Sequence, residues 1–238
     1  MAAMLDLPEG RAADAGEARW QDMESRIQYA YYTEDARALG NLQQLLEADD
    51  TRSALHSYYS ALASYRLAQL RLAPADHSQA ARSAEQCVDR LGDALSEQPD
   101  SPEALALSAG CLALLAQVKT LTAALFASRS ASQMRRAVAL APHNPRVLLL
   151  EALGELARDA RASAGFSHLQ QAVSAFEHER EQTAHTPGWG AADAYAVLGR
   201  TYLDRGDAIA ARGALEHALL LVPDFSYAHR LMARITAG

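Results

Sequence analysis

The stretch ADAYAVLGRTYLDRGDAIAARGALEHALLLVP, residues 192–223, decides the fold of this chain. Its apolar residues recur at helical spacing in two blocks, which are separated by Gly206 and Asp207. Glycine gives the backbone the freedom that a tight turn needs, and aspartate is suited to capping the helix that follows. The stretch therefore predicts two antiparallel helices joined by a short turn.

The same residues fill the diagnostic positions of a helical repeat of about 34 residues. Small residues at repeat positions 8, 20 and 27 let two helices approach closely, and large apolar residues fill the seam between neighbouring hairpins. With Ala192 at position 1, the residues at positions 4, 7, 8, 11, 20, 24, 27 and 32 are Tyr195, Leu198, Gly199, Tyr202, Ala211, Leu215, Ala218 and Pro223. This region resembles the tetratricopeptide repeat (TPR) family.

Two further prolines mark the ends of earlier hairpins. Pro99 and Pro142 fit position 32 of the repeat, and Pro102 and Pro145 open the helices that follow, where no backbone donor is needed. Pro99 and Pro142 lie 43 residues apart, which is more than one repeat length. The middle repeats are therefore predicted to be degenerate, with insertions or lengthened helices.

The fold class follows from these hairpins: an all-α, right-handed TPR-type solenoid of about five helical hairpins plus a C-terminal capping helix. Residues 17–32 and 34–48 are predicted to form the first hairpin, and 51–72 and 77–97 the second. The capping helix is expected over 224–235. Residues 1–16, which are small and polar, are predicted to be disordered, and 17–238 a single domain.

Composition supports an all-α protein and narrows its partners. Of the 238 residues, 50% are hydrophobic and only 6% aromatic, which suits helix packing and gives enough core without a metal. A net charge of −7, without clustered basic residues, argues against nucleic acid as a partner. The apolar stretch 104–118 is too short to span a membrane, so a buried helix is expected.

The two cysteines and the N-terminus leave the compartment open. Cys87 and Cys111 have no CxxC spacing, so neither a zinc site nor a disulfide is implied, and both are interpreted as small buried apolar residues. The N-terminal MAAMLDLPEG has no basic region followed by an apolar stretch, as an export signal would. This indicates either a cytoplasmic protein or a chain that starts at its mature end.

A closer resemblance rests on four phrases taken together. They are SYYSALASYRLAQL (57–70), PHNPRVLLLEAL (142–153), PGWGAADAYAVLGRTYLDRGD (187–207) and ALLLVPDF (218–225). The combination is similar to a group of bacterial TPR-containing proteins of unassigned function whose members commonly begin with an export signal. The resemblance implies an envelope location such as the periplasm and brings no activity. The chain departs from that pattern at 163–167, where a more glycine-rich turn is expected.

No enzyme motif is present: GxGxxG, GxxxxGK[ST], HExxH and GxSxG are all missing from the sequence. We therefore predict no catalytic residues and no cofactor. Phe176 to Arg180, followed by His185, offers imidazoles and carboxylates, with His178 and His185 on one face if the helix continues. We interpret this segment as a solvated helix end and predict no metal site.

Candidate contacts for a partner come from the concave face, towards which set positions of each first helix point. In the best repeat they include Asp193, Arg200 and Asp204, and Arg200 is predicted to pair with a solenoid carboxylate or with one on a partner. Tyr59 and Arg66 lie on the tyrosine-rich helix, of whose residues half or more are expected in the core, and Lys119 is either a groove charge or the end of a helix; these three complete the set. The Lys and Asn residues with which chaperone-binding TPR proteins grip a terminal carboxylate are missing.

Three functions remain open at this point. The first is a non-enzymatic scaffold that binds a protein or peptide in its concave groove. The second is a self-associating structural subunit of an envelope or transport-associated assembly, which would be a homo-oligomer. The third, a small-molecule binder or enzyme, needs a closed pocket, for which His178, Trp189 and Arg200 are the candidate residues.

Overall fold

The computed structural model describes residues 9–49, 51, 53–72, 77–181 and 187–237, and in that part of the chain the regular structure is helical throughout. Eleven α-helices are formed there, with one 3₁₀ turn at Thr120–Thr122. In chain order, α1 to α11 are Glu9–Tyr32, Ala36–Glu47, Ala54–Leu72, His77–Glu97, Pro102–Val118, Ala123–Leu140, Pro145–Arg158, Ser163–Glu181, Ala191–Asp204, Ala208–Leu221 and Ser226–Ala237. None of these helices is both long and apolar enough to cross a membrane.

Consecutive helices pair as the repeat pattern predicts. The pairs α1/α2, α3/α4, α5/α6, α7/α8 and α9/α10 form five hairpins, and α11 packs against the last of them. The all-α solenoid with a capping helix is thus confirmed. Helix α1 begins at Glu9 rather than Glu17; residues 1–8, where disorder is also expected, lie outside the described part of the chain.

Short polar residues and prolines set the helix starts. Asp207 accepts a hydrogen bond from the backbone N–H of Ala210 at 2.9 Å and so caps α10, as predicted. Pro102 and Pro145 occupy the first turns of α5 and α7, where a missing N–H costs nothing. Gly206, with φ at 84°, makes the turn between α9 and α10.

A disulfide joins Cys87 on α4 to Cys111 on α5, so the expectation of two unlinked cysteines was wrong. Both residues are fully buried, as predicted, and their Cα atoms lie 6.2 Å apart. They meet because the second helix of one hairpin packs along the first helix of the next. Sequence spacing carries no sign of this, because the two cysteines belong to different hairpins.

The helices of the middle hairpin are longer than those of the last hairpin, as the proline spacing predicts. Helices α5 and α6 have 17 and 18 residues, compared with 14 in each of α7, α9 and α10. Helix α6 packs along α5 but makes little contact with α7, and Ala137 is its one buried residue. A gap therefore opens between α6 and α7.

Candidate ligand groove

The gap between α6 and α7 is a groove of about 880 Å³. Helix α5 forms its floor, and residues from α3 and α9 extend it towards the inner face of the solenoid. At the floor, Gly110 allows close packing: a Cβ there would lie 3.3 Å from both Leu150 Cδ2 and Tyr65 Cε2. The floor of the groove is thus closely packed, and the groove opens between α6 and α7.

The walls of the groove are largely apolar. Small residues of α5 and α6 alternate with larger ones, and the latter supply most of the surface that a ligand would contact. The larger apolar lining residues are Leu114, Met134, Val138, Leu150, Leu153 and Leu156. Burial raises the pKa of the Tyr65 phenol to about 12, so this side chain contributes a neutral hydroxyl rather than a charge at physiological pH.

Charged residues lie around the apolar walls. Arg135 on α6 and Arg158 on α7 are exposed on opposite walls, and neither forms an ion pair within the described ranges. Arg200 on α9 lies 3.9 Å from Asp204, as the i,i+4 spacing predicts, and also interacts with the Tyr227 hydroxyl. Glu151 and Glu155 of α7 also line the groove, so its charges are mixed in sign. The guanidinium groups of Arg135 and Arg158 suit a ligand with an apolar body and a carboxylate.

Of the six predicted contact residues, only Arg200 and Asp204 line this groove. Lys119 lies at the C-terminal end of α5 and forms an ion pair with Glu85 of α4. The other three, Tyr59, Arg66 and Asp193, are buried, so their interpretation as accessible partner contacts is corrected. They are buried because the first hairpin packs on α3 and reaches the last hairpin, where Tyr32 of α1 contacts Asp193 of α9.

Arg66 and Asp193 lie at the centre of this contact between the first and last hairpins. The guanidinium donates to both carboxylate oxygens of Asp193, at 3.0 and 2.7 Å, and to Gln28 of α1 at 3.0 Å. Tyr32, also on α1, donates its hydroxyl to Asp193 at 2.9 Å. Charges this deeply buried are tolerated only when they are paired and hydrogen-bonded, which makes this cluster structural.

Tyr59 and Trp189 belong to the same inner contact. The Tyr59 hydroxyl donates to Glu24 at 2.8 Å, and the same carboxylate accepts the backbone N–H of Gly188 at 3.0 Å. Trp189 is buried and donates its indole N–H to the hydroxyl of Tyr58 at 2.9 Å. Trp189 thus joins the segment before α9 to α3, and it does not line the groove.

The histidines singled out in the sequence do not form a pocket with Arg200. His178 is exposed on α8, with its Nδ1 2.7 Å from the carbonyl oxygen of Ser174. His185 lies outside the described residues. A pocket formed by His178, Trp189 and Arg200 is therefore not what the structure shows; of the three, only Arg200 borders the groove.

Sequence reasoning missed the groove residues on α6 and α7, among them Met134, Val138 and Gly154. The register set by Pro142 gives Met134 a position in the seam between hairpins, where it is expected to be covered, and the gap beside it depends on how α6 and α7 pack. One signal was available: the 43 residues between Pro99 and Pro142 mark the hairpin whose extra length separates α6 from α7.

Fold and groove together define a class: the chain is an all-α helical-repeat solenoid with a TPR-like fold. Among solved structures, it is similar to the HusA haemophore from Porphyromonas gingivalis, with 19% identity and a TM-score of 0.57 over 77% of this chain and 92% of that one. It is also similar to TTC0263, a thermophilic TPR protein of Thermus thermophilus, with 15% identity and a TM-score of 0.50 over 92% and 97% of the two chains. No family model and no curated protein matches the chain.

Proposed function

We propose that the protein is a non-enzymatic scaffold that binds a segment of a partner protein in the groove between α6 and α7. The observation that carries the proposal is the gap itself, about 880 Å³ with largely apolar walls, at the point where α6 has one buried residue. A helix so poorly covered leaves apolar surface for a partner, and TPR-like solenoids offer such surfaces along their length.

The bound segment is proposed to combine apolar side chains with a carboxylate. Apolar side chains would contact Met134, Val138 and Leu153, and the carboxylate would pair with Arg135 or Arg158 on the two walls. Bidentate pairing with a guanidinium would fix the direction of the segment, and apolar burial would supply most of the affinity.

The test is selection of peptides from a displayed random library on the immobilised protein, followed by hydrogen exchange of the complex. Bound peptide is expected to protect backbone amides of α6 and α7, because these helices form the two walls. Acidic and apolar residues are expected to be enriched among the selected sequences. Protection confined to α1 and α2, with no change in α6, would contradict the proposal.

A flat apolar ligand is the second candidate. The volume of the groove lies within the range of about 300–1,000 Å³ that small-molecule sites occupy. A haem has an apolar macrocycle and two propionates, which the arginines of the walls would suit, and Met134 offers a thioether. The similarity in fold to a haemophore is the reason to test this ligand first among small molecules.

Titration with haemin decides this candidate. Binding in the groove is expected to shift and sharpen the Soret band, and Met134→Ala is expected to weaken it. An unchanged spectrum at equimolar haemin would contradict haem binding without affecting the peptide proposal.

The self-associating alternative has an observation of its own. The cleft between α1 and α2 exposes Tyr29 and Leu45, which are 59% and 51% exposed, at the end of the array where a further repeat would stack. A homo-oligomer formed through this cleft would be reduced to monomer by Leu45→Glu, as measured by light scattering. An unchanged mass would contradict that contact.

The disulfide favours an oxidising compartment as the working location. Disulfides persist mainly in secreted and envelope proteins, because cytosolic thiols are kept reduced. We propose a periplasmic or similar location for this protein. Alkylation of the two cysteines after rapid acid quenching of cells is expected to leave both unlabelled; full labelling would contradict this location.

A further inference from the structure

We propose that Glu151, Glu155 and His168 form a binding site for a divalent transition-metal ion. Each residue offers one ligand atom, and the three atoms all lie within 4.8 Å of one another. Two carboxylates and one imidazole are ligands that zinc takes in proteins. The site is distinct from the inner Arg66–Asp193 contact and does not depend on the function proposed above.

The distances between the ligand atoms suit an ion placed among them. Nδ1 of His168 lies 3.0 Å from Oε2 of Glu155 and 3.7 Å from Oε2 of Glu151. Ligands bound to zinc at about 2.0–2.1 Å in a tetrahedron stand about 3.3 Å apart. The two observed distances bracket that value, so small side-chain movements would complete the arrangement.

The fold brings the three side chains together from two helices. Glu151 and Glu155 lie one turn apart on α7, so both project on one face, and His168 faces them from α8. Close approach of the helices depends on Gly165, where a Cβ would lie 3.0 Å from Leu156 Cγ and 3.1 Å from Glu155 Cβ. A glycine at this position places the next turn of α8, with His168, beside the two carboxylates.

Charge provides a second reason for a cation. The three side chains are each between 20% and 29% exposed, and Glu151 and Glu155 repel each other at one-turn spacing. A divalent ion bound among the three side chains would neutralise both carboxylates.

The surroundings leave room for ligands from solution. Three protein ligands do not fill the coordination of zinc, and open positions are typical of sites that bind water or a further ligand. Glu151 and Glu155 both line the groove, so the open positions would lie on its wall. Cys87 and Cys111 do not compete for the ion because they are joined in a buried disulfide.

Isothermal titration of the untagged protein with Zn²⁺ at pH 7.5 tests the site. One ion per chain is expected, and His168→Asn and Glu155→Gln are each expected to weaken the affinity at least about tenfold, since each removes a ligand. His178→Asn, which removes an exposed imidazole from the same helix, is the matched control and is expected to bind as the wild type does. Co²⁺ in place of Zn²⁺ is expected to give visible absorption that His168→Asn removes.

Two results would overturn the site. One is a wild type that takes up no Zn²⁺ in the micromolar range. The other is equal affinity in wild type, Glu155→Gln and His168→Asn, with helical circular dichroism unchanged in all three. Either would mean that His168 serves only as an ion-pair partner of the two glutamates. If Glu155→Gln loses helicity, Glu151→Gln replaces it in the same comparison.

Discussion

Arg66 on α3 and Asp193 on α9 are separated by 127 residues in sequence and form a two-pronged ion pair with N–O distances of 3.0 and 2.7 Å. The Arg66 guanidinium also lies 4.0 Å from the ring centroid of Tyr31 on α1. Helices from the first, second and fifth hairpins thus meet at one charge pair. This contact occupies part of the inner surface where the sequence predicts a ligand, whereas the gap between α6 and α7 remains open.

Breaking the buried pair is expected to be costly. Asp193→Ala would leave the Arg66 guanidinium buried without a counter-ion, which typically costs about 3–5 kcal/mol. Urea unfolding followed by circular dichroism measures the loss. Glu34→Ala is the control, since it breaks the exposed Arg230–Glu34 pair, which also joins the two ends of the solenoid, and should cost less than about 1 kcal/mol. An equally small loss of unfolding free energy in both variants would mean that the Arg66–Asp193 pair does not stabilise the contact between the first and last hairpins.

The disulfide is expected to stabilise the α4/α5 contact. Replacing both cysteines by alanine, which keeps the seam apolar, should lower the free energy of unfolding by about 3 kcal/mol for a closed loop of 24 residues. Unfolding in urea with and without reductant measures this. Reductant should destabilise the wild type and leave the double variant unchanged; a wild type insensitive to reductant would contradict a bond between Cys87 and Cys111.

Glu24 is expected to make stability fall as the pH rises from mildly acidic values. Burial is the main cause that raises its pKa above 4.5, although hydrogen bonds from Gly188 and Tyr59 lower it. The folded protein therefore holds this proton more tightly than the unfolded chain does, so stability is lost from about pH 4.5 up to the raised pKa. Glu24→Gln has no such proton, and its stability relative to wild type should rise over this range.

The measurement is the free energy of unfolding from pH 4 to pH 7. The informative quantity is how the difference in unfolding free energy between Glu24→Gln and wild type changes with pH. The hydrogen bonds that glutamine alters contribute a difference that does not depend on pH. Glu216→Gln, on the exposed side of α10, is the control and should run parallel to wild type. Parallel curves for Glu24→Gln and wild type would contradict the raised pKa of Glu24.

Two glycines of the last hairpin should respond in opposite ways to alanine. A Cβ at Gly199 would lie 2.6 Å from Leu215 Cγ and 2.8 Å from Leu215 Cδ2, so Gly199→Ala should destabilise by about 1–3 kcal/mol. At Gly213 a Cβ meets nothing within 4 Å, so Gly213→Ala should stabilise α10 by up to about 1 kcal/mol. Melting temperatures that shift in the same direction would contradict the close packing of α9 and α10.

The last hairpin could be predicted residue by residue because its pattern is local. Gly199 and Ala211 are small where α9 and α10 approach, and Gly206 turns the chain between them. The starts of α5 and α7 could be predicted for the same reason, since Pro102 and Pro145 mark them directly. The contacts on the inner face could not be predicted in this way. Arg66 and Asp193 come together only through the curvature of the whole solenoid, which accumulates over hairpins of unequal length.

The candidate sites show the same limit. Repeat register puts Arg200 and Asp204 on the concave face, and both line the groove. Met134 and Gly154 line it because α6 and α7 make little contact, which the sequence pattern does not show. Cys87 and Cys111 looked unrelated because their contact depends on how α4 packs on α5. Glu151 and Glu155 carry a visible i,i+4 spacing, but His168 joins them only across the α7/α8 hairpin.

Occupancy of the groove is the central claim, and a matched pair of glycine variants tests it most directly. Gly154 lines the groove and Gly213 does not, and both have open space where a Cβ would lie, so phenylalanine should be tolerated at either. A peptide selected on the wild type would be titrated by fluorescence anisotropy against Gly154→Phe and Gly213→Phe. We expect at least about a tenfold rise in Kd for Gly154→Phe and no change for Gly213→Phe. Equal affinity for the two variants would contradict binding between α6 and α7.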